Sequence, residues 1–143
     1  MATVVAMQLG EEGRLNLDAP AQQFVGGRPL PDQVLVKHLL THTSEGHVGT
    51  EYVYGTNRFA LLGAVIEANT DARFEHVIRQ RIVERADMQA YPSPWLGAHA
   101  RMVSTTHNMG AFLAALDRNS LLQPASLGRL AVPSLTLEGL RFL

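Results

Sequence analysis

The chain has 143 residues, 46% of them hydrophobic and 17% charged, with a formal net charge of −1. That length makes one domain with room for a real core, and a nearly neutral chain without a basic block lacks the electrostatic footprint of nucleic-acid binding. It has no cysteine, which excludes disulfides, thiolate metal ligands and a cysteine nucleophile, and fits a reducing, cytoplasmic location.

The apolar start, Met1-Ala-Thr-Val-Val-Ala-Met-Gln-Leu9, is followed by Glu11 and Glu12. It carries no basic leader and is too short to span a bilayer, so it is expected to be a core helix from Ala2 to Glu12, with no membrane segment. Val4, Val5, Gln8 and Leu9 share one face, and Gly13 ends the helix. Leu15 to Pro20 is expected to be extended, and Gly26-Gly27 with Pro29 to Pro31 to be loop. Asp32 is placed to cap a helix running to about His42. Thr43 to Thr50 is polar and reads as loop. Asn57 to Asn69 is expected to be a helix, with Phe59, Leu62, Val65 and Ile66 at helical spacing. Another runs from Arg73 to Arg85 and buries Phe74, Val77, Ile78 and Ile82. After Pro92 and Pro94, Ser104 caps a helix through Leu116, with Met109, Phe112, Leu113 and Leu116 facing the core. A short helix opens at Pro124 and reaches Ala131. The tail from Ser134 to Leu143 is a strand or loose chain. There is no internal repeat, so residues 1–143 form a single, mainly α domain.

Three segments carry a family likeness: Lys37-His-Leu-Leu-Thr-His-Thr-Ser44, Gly49-Thr-Glu-Tyr-Val-Tyr54 with Phe59-Ala-Leu-Leu-Gly63, and Met102-Val-Ser-Thr-Thr-His-Asn-Met109. With them the chain resembles, from about Met1 to Leu130, the serine β-lactamase and penicillin-binding-protein-like esterases. That family acylates the serine of an S-x-x-K motif. The only lysine here is Lys37, and the residue three before it is Val34, so these residues contain no such motif. The family's Tyr-x-Asn falls on Tyr54-Gly55-Thr56, which keeps the tyrosine and replaces the asparagine. Its late Lys-Thr-Gly or His-x-Gly has no counterpart. The resemblance implies the helical portion of the β-lactamase/transpeptidase-like fold, with most of the β-sheet absent. Two joins look shortened, at Glu45 to Val48 and at Gln89 to Met102. Removing the sheet is expected to bare apolar surface on Val4, Val5 and Leu9, and so to favour a homodimer or higher homo-oligomer.

The remaining chemistry rests on six histidines. His38 and His42 lie at i and i+4 on one helix face. That is the ligand spacing of H-E-x-x-H without its glutamate, and both belong to the family's own turn. His47 and His99 are off the family pattern, one in each shortened join. With His42 they would supply three imidazoles and an open position, the ligand set of a catalytic zinc ion. Such an ion, a divalent metal with Zn²⁺ favoured although imidazole suits copper, nickel and iron alike, delivers hydroxide near neutral pH without serine or lysine. Tyr54 would stabilise charge on the substrate oxygen. Glu45, or Glu51 on the same loop, would act as a fourth ligand, as a partner that orients a histidine, or as a general base. His38 and His107 are the alternatives to His42 as a ligand, and His76 is expected on the surface. Ser44 lacks a G-x-S-x-G setting and reads as structural.

Three functions follow. The first, and favoured, is a metal-dependent hydrolase of phosphodi- or triesters or carboxylic esters, acting on a small-molecule ester. The second is a non-catalytic binding or interaction remnant. The third is residual serine-type esterase activity, the weakest because S-x-x-K is missing.

Overall fold

A computed structural model describes residues 1–27, 29–89 and 104–131 of the chain. The described residues hold six α-helices: α1 (Ala2–Glu11), α2 (Val36–Leu40), α3 (Thr56–Ala68), α4 (Phe74–Ile78), α5 (Thr106–Asp117) and α6 (Pro124–Ala131). A short 3₁₀ turn spans Ala21–Gln23, and α4 runs directly into a π-helical turn, Arg79–Val83. Among the described residues β-structure is a single antiparallel bridge between Pro20 and Leu35, and no helix is long and apolar enough to cross a membrane. This is the mainly helical fold expected from the motifs. The tail from Ser134 to Leu143 lies outside the described residues.

α1 is the central post. Ala2 and every residue from Val4 to Leu9 are buried, the pattern of a helix enclosed on most sides. It packs against α3 and α4. The expectation that Val4, Val5 and Leu9 would be bared is therefore corrected: they are 4%, 0% and 0% exposed within one chain. Their cover comes from neighbouring helices of the same domain, and no second copy is needed for it. After α1 the backbone reverses, and the Arg14 and Leu15 amides both donate to the Leu9 carbonyl.

The helix expected from Asp32 begins later, at Val36. The physical reason is the bridge. The Ala21 amide donates to the Val34 carbonyl at 2.8 Å, and the Val36 amide to the Ala19 carbonyl at 3.0 Å. Val34 and Val36 are both fully buried, so this stretch follows the period-two burial of an extended chain. Asp32 stays exposed. The cap comes from the far side instead: His38 Nδ1 accepts the Leu35 amide at 3.2 Å.

α3 buries Leu61, Leu62, Val65 and Ile66, and Glu67 near its end accepts the Phe74 amide at 2.8 Å, tying it to α4. Along α4 and the π turn, Phe74, Val77, Ile78, Ile82 and Val83 are buried, as the sequence period required for all but Val83. α5 is capped by Thr105, not Ser104; its hydroxyl oxygen accepts the Asn108 amide at 3.2 Å. The core face of α5 is also rotated. Asn108, Phe112 and Ala115 are buried, whereas Met109 and Leu113 are 38% and 59% exposed. Asn108 pulls that face inward because its side-chain oxygen accepts the Gln89 amide at 3.1 Å.

Candidate functional site

The loop between α2 and α3 collects most of the residues singled out by sequence. It starts with a backbone reversal at His42, whose φ is 55°. A histidine in the left-handed region is uncommon and is held there by its surroundings. The Thr43 amide donates to the His38 carbonyl at 2.9 Å, and the Gly49 amide to the Thr43 carbonyl at 2.8 Å. Thr43 and Ser44 are buried, 2% and 4% exposed. Ser44 is thus part of the turn's interior and has no access to a substrate.

Two carboxylates knit the loop. Glu51 Oε2 accepts the His47 backbone amide at 2.9 Å and sits 3.0 Å from His47 Nδ1. It wraps closely around Gly46, where φ is 61° and where a Cβ would collide with the carboxylate. Glu45 accepts from Arg58 Nε at 3.2 Å across the base of α3. Its other oxygen lies 2.9 Å from the position a Cβ would take at Gly55. Glu45 is therefore committed to Arg58 and to the close approach of Gly55.

The His42 ring occupies the centre of an aromatic nest. It stacks on Phe59 with centroids 5.2 Å apart and planes at 14°. Tyr54 lies against it at 4.8 Å and 34°, and Tyr52 meets it edge-on at 5.8 Å and 67°. These separations fall in the range of favourable ring pairs. Burial pushes the His42 imidazole below the ordinary histidine pKa, which favours the neutral ring. Its Nδ1 is buried and has no hydrogen-bond partner among the described residues. Tyr54 is 69% exposed and Tyr52 41% exposed, so the nest presents two phenols to solvent on a rigid base. His38 is also held below its ordinary pKa, by burial first and then by the Lys37 charge. Lys37 itself is bound to Asp18 at 2.7 Å, on the other side of α2's start.

The sequence-read residues separate here. His42, Tyr54, Glu45 and His47 share one loop. His47 is turned outward, its side chain 89% exposed and engaged with Glu51, while the His42 ring is covered by tyrosine. His99 lies outside the described residues. Among the described residues no three histidine or acidic side chains are grouped to hold a metal ion. His107 and His76 are exposed. Sequence reasoning missed Tyr52, Phe59 and Arg58. The alternation Tyr52-Val53-Tyr54 was the available signal, since i and i+2 share a side in extended chain. A cleft of about 420 Å³ opens elsewhere, between α1 and α6, and is lined in part by Glu11, Asn16, Ser126 and Arg129; it shares no residue with this loop.

The sequence matches the β-lactamase family over residues 1–138. None of the curated proteins matches it. Among solved structures, a D-stereospecific amidohydrolase from Streptomyces sp. aligns with a TM-score of 0.79 at 18% identity, over 92% of this chain and 62% of its own. A penicillin-binding protein from Bacillus halodurans aligns at 0.77 and 20% identity, over 92% and 60%. The octameric penicillin-binding-protein homologue from Pyrococcus abyssi aligns at 0.80 and 19% identity, over 92% and 46%. The chain thus spans less than two thirds of the length of each. The resemblance drawn from the three motif segments holds, and with it the helical portion of the fold. The favoured functional reading does not. The family is one of serine-type acyl hydrolases, and neither it nor these neighbours points to metal-bound hydroxide or phosphoesters. That reading is corrected: His42 falls within the family's own turn, and its ring is packed by the tyrosines and Phe59.

Proposed function

Because the chain belongs to the β-lactamase family, we propose that it is the helical half of a serine-type acyl-hydrolase site and forms the tyrosine-bearing wall of that site. Acting by itself, it binds an acyl compound without turning it over. The observation that carries this is the exposed Tyr54 ring on its aromatic nest, in the position of the family's Tyr-x-Asn tyrosine. Hydrolysis through an acyl-enzyme needs an activated hydroxyl beside a base. The only lysine, Lys37, is bound to Asp18, and Ser44 is buried. The S-x-x-K pair that the family acylates is absent from these 143 residues, so no acylation is proposed for the chain by itself. What Tyr54 supplies is a neutral hydrogen-bond donor to a carbonyl oxygen or leaving group.

By analogy with the Streptomyces amidohydrolase, the ligand class proposed is a D-configured N-acyl amide. Self-association and a cytoplasmic location are further parts of the proposal. The first is supported by the exposed Met109 and Leu113 on α5 and by the octameric Pyrococcus homologue, the second by the absence of cysteine. Intact-mass spectrometry after incubation with benzylpenicillin or a fluorophosphonate tests the missing nucleophile. The unmodified mass is expected throughout; a stoichiometric adduct on any residue would overturn the assignment.

A further inference from the structure

We infer that His42 is a positioning residue whose ring, held flat on Phe59 and turned by a left-handed backbone, sets Tyr54 and Tyr52 as one fixed aromatic wall. This rests on the reading of Tyr54 as the ligand-facing residue. Three observations converge on it. The His42 ring is the one shared neighbour: it stacks on Phe59 and touches both tyrosines. Its backbone is simultaneously the anchor for the tyrosine segment, since its carbonyl accepts the Val53 amide at 2.8 Å. That one bond fixes the residue between the two tyrosines, so they flank His42 with their rings against it. Finally, its Nδ1 is buried with no hydrogen-bond partner among the described residues. Among the described residues the ring's contacts are those to Phe59 and the two tyrosines, so histidine serves here as a flat plate.

The alternative is that position 42 matters only for its backbone, as a turn residue. The two roles make different demands. Asparagine tolerates the left-handed region well and has no ring. Phenylalanine supplies a ring of similar width with no titratable nitrogen, though it is less suited to the backbone. If only the turn mattered, His42→Asn would preserve everything.

The test is NMR of the tyrosine ring protons in the whole chain, with wild type, His42→Asn and His42→Phe compared. In the wild type, Tyr52 and Tyr54 ring protons are expected to be displaced by the ring current of the imidazole. In His42→Asn the backbone spectrum elsewhere stays folded, while both tyrosines collapse to the shifts of free tyrosine. In His42→Phe the displacement persists. Tyrosine shifts unchanged in His42→Asn, or lost equally in His42→Phe, would overturn the inference. A titration with N-acetyl-D-alaninamide separates this from the functional reading. Weakening of several-fold in His42→Asn with recovery in His42→Phe supports both. A wild type with ordered tyrosines that ignores the amide overturns the functional reading, because the wall would be set with nothing to receive.

Discussion

The His42 carbonyl accepts the Val53 amide at 2.8 Å, and through this bond the turn that ends α2 fixes the chain that carries both exposed tyrosines. The same residue lends its ring to Tyr54, 4.8 Å away between centroids. Backbone and side chain of one residue thus act on the same segment, and the consequences can be measured separately.

Acid should loosen this arrangement. Both His38 and His42 have their folded pKa lowered from the ordinary histidine value of 6.5, chiefly by burial. A lowered folded pKa means that the unfolded chain binds more protons, so stability rises with pH across the interval and falls as pH drops from about 6.5 through the folded values. Thermal melts between pH 8 and 5 should show a declining midpoint below neutrality. His42→Phe should flatten that decline. A midpoint independent of pH in this range would contradict the burial of both rings.

Gly46 should resist substitution more than Gly55. At Gly46 an added Cβ meets both a φ of 61° and the Glu51 carboxylate. Left-handed backbone alone costs a non-glycine residue about 1–2 kcal/mol. At Gly55 the obstacle is the mobile end of Glu45, 2.9 Å from the added Cβ, which can swing aside at the expense of its pairing with Arg58. Gly46→Ala should therefore lower the melting midpoint by several degrees, at roughly 3–5 °C per kcal/mol, and Gly55→Ala by less. The reverse order would show that the loop is not closed around Gly46.

The core around α3 should behave as a rigid interior. Ile66 is fully buried, and truncating such a residue to alanine costs about 2–5 kcal/mol. That is a large share of the roughly 5–15 kcal/mol available to a domain. Ile66→Ala should lower the denaturation midpoint strongly at every protein concentration, while Leu113→Ala, on the exposed side of α5, should change it little in dilute solution, where the chains are separate. Equal effects would mean that Leu113 is covered in solution by another molecule.

Gln8 offers a sharper test of the interior. It is 3% exposed; its Nε2 donates to the Leu121 carbonyl at 2.8 Å, and its Oε1 is unpartnered among the described residues. Gln8→Glu can keep the Leu121 contact only as the neutral acid. Burial raises the folded pKa of such a carboxyl, so its destabilisation should grow as pH rises above about 4.3. Gln8→Met should cost a fixed amount at all pH values. A Gln8→Glu variant insensitive to pH would place the side chain in contact with water.

The fold was legible wherever burial followed one clean period. The α3 pattern of Leu62, Val65 and Ile66 was read almost to its ends, and Pro124 marked the start of α6. The start of α2 was misread because Val34 and Val36 alternate into the core before the helical period takes over, and an N-capping Asp32 was close enough to mislead. The face of α5 was misread because a buried Asn108 outranks Met109 once its side chain has a backbone partner. At the site, the motif residues His42, Ser44 and Tyr54 were visible as a family pattern, but their chemistry was not. The off-pattern His47 and His99, taken with His42, suggested a metal, and His99 lies outside the described residues. What matters at His42 is a left-handed backbone and three ring neighbours, and neither a φ value nor a stacking partner can be read from residue spacing.

The most direct test of the central claim is an NMR titration of the whole chain with N-acetyl-D-alaninamide, with the ligand's own signals followed for several days. Saturable shifts of the Tyr54 and His42 ring resonances, with the amide recovered intact, are expected. Shifts confined to other residues, or hydrolysis of the amide by the chain alone, would contradict the account of a binding wall without its nucleophile.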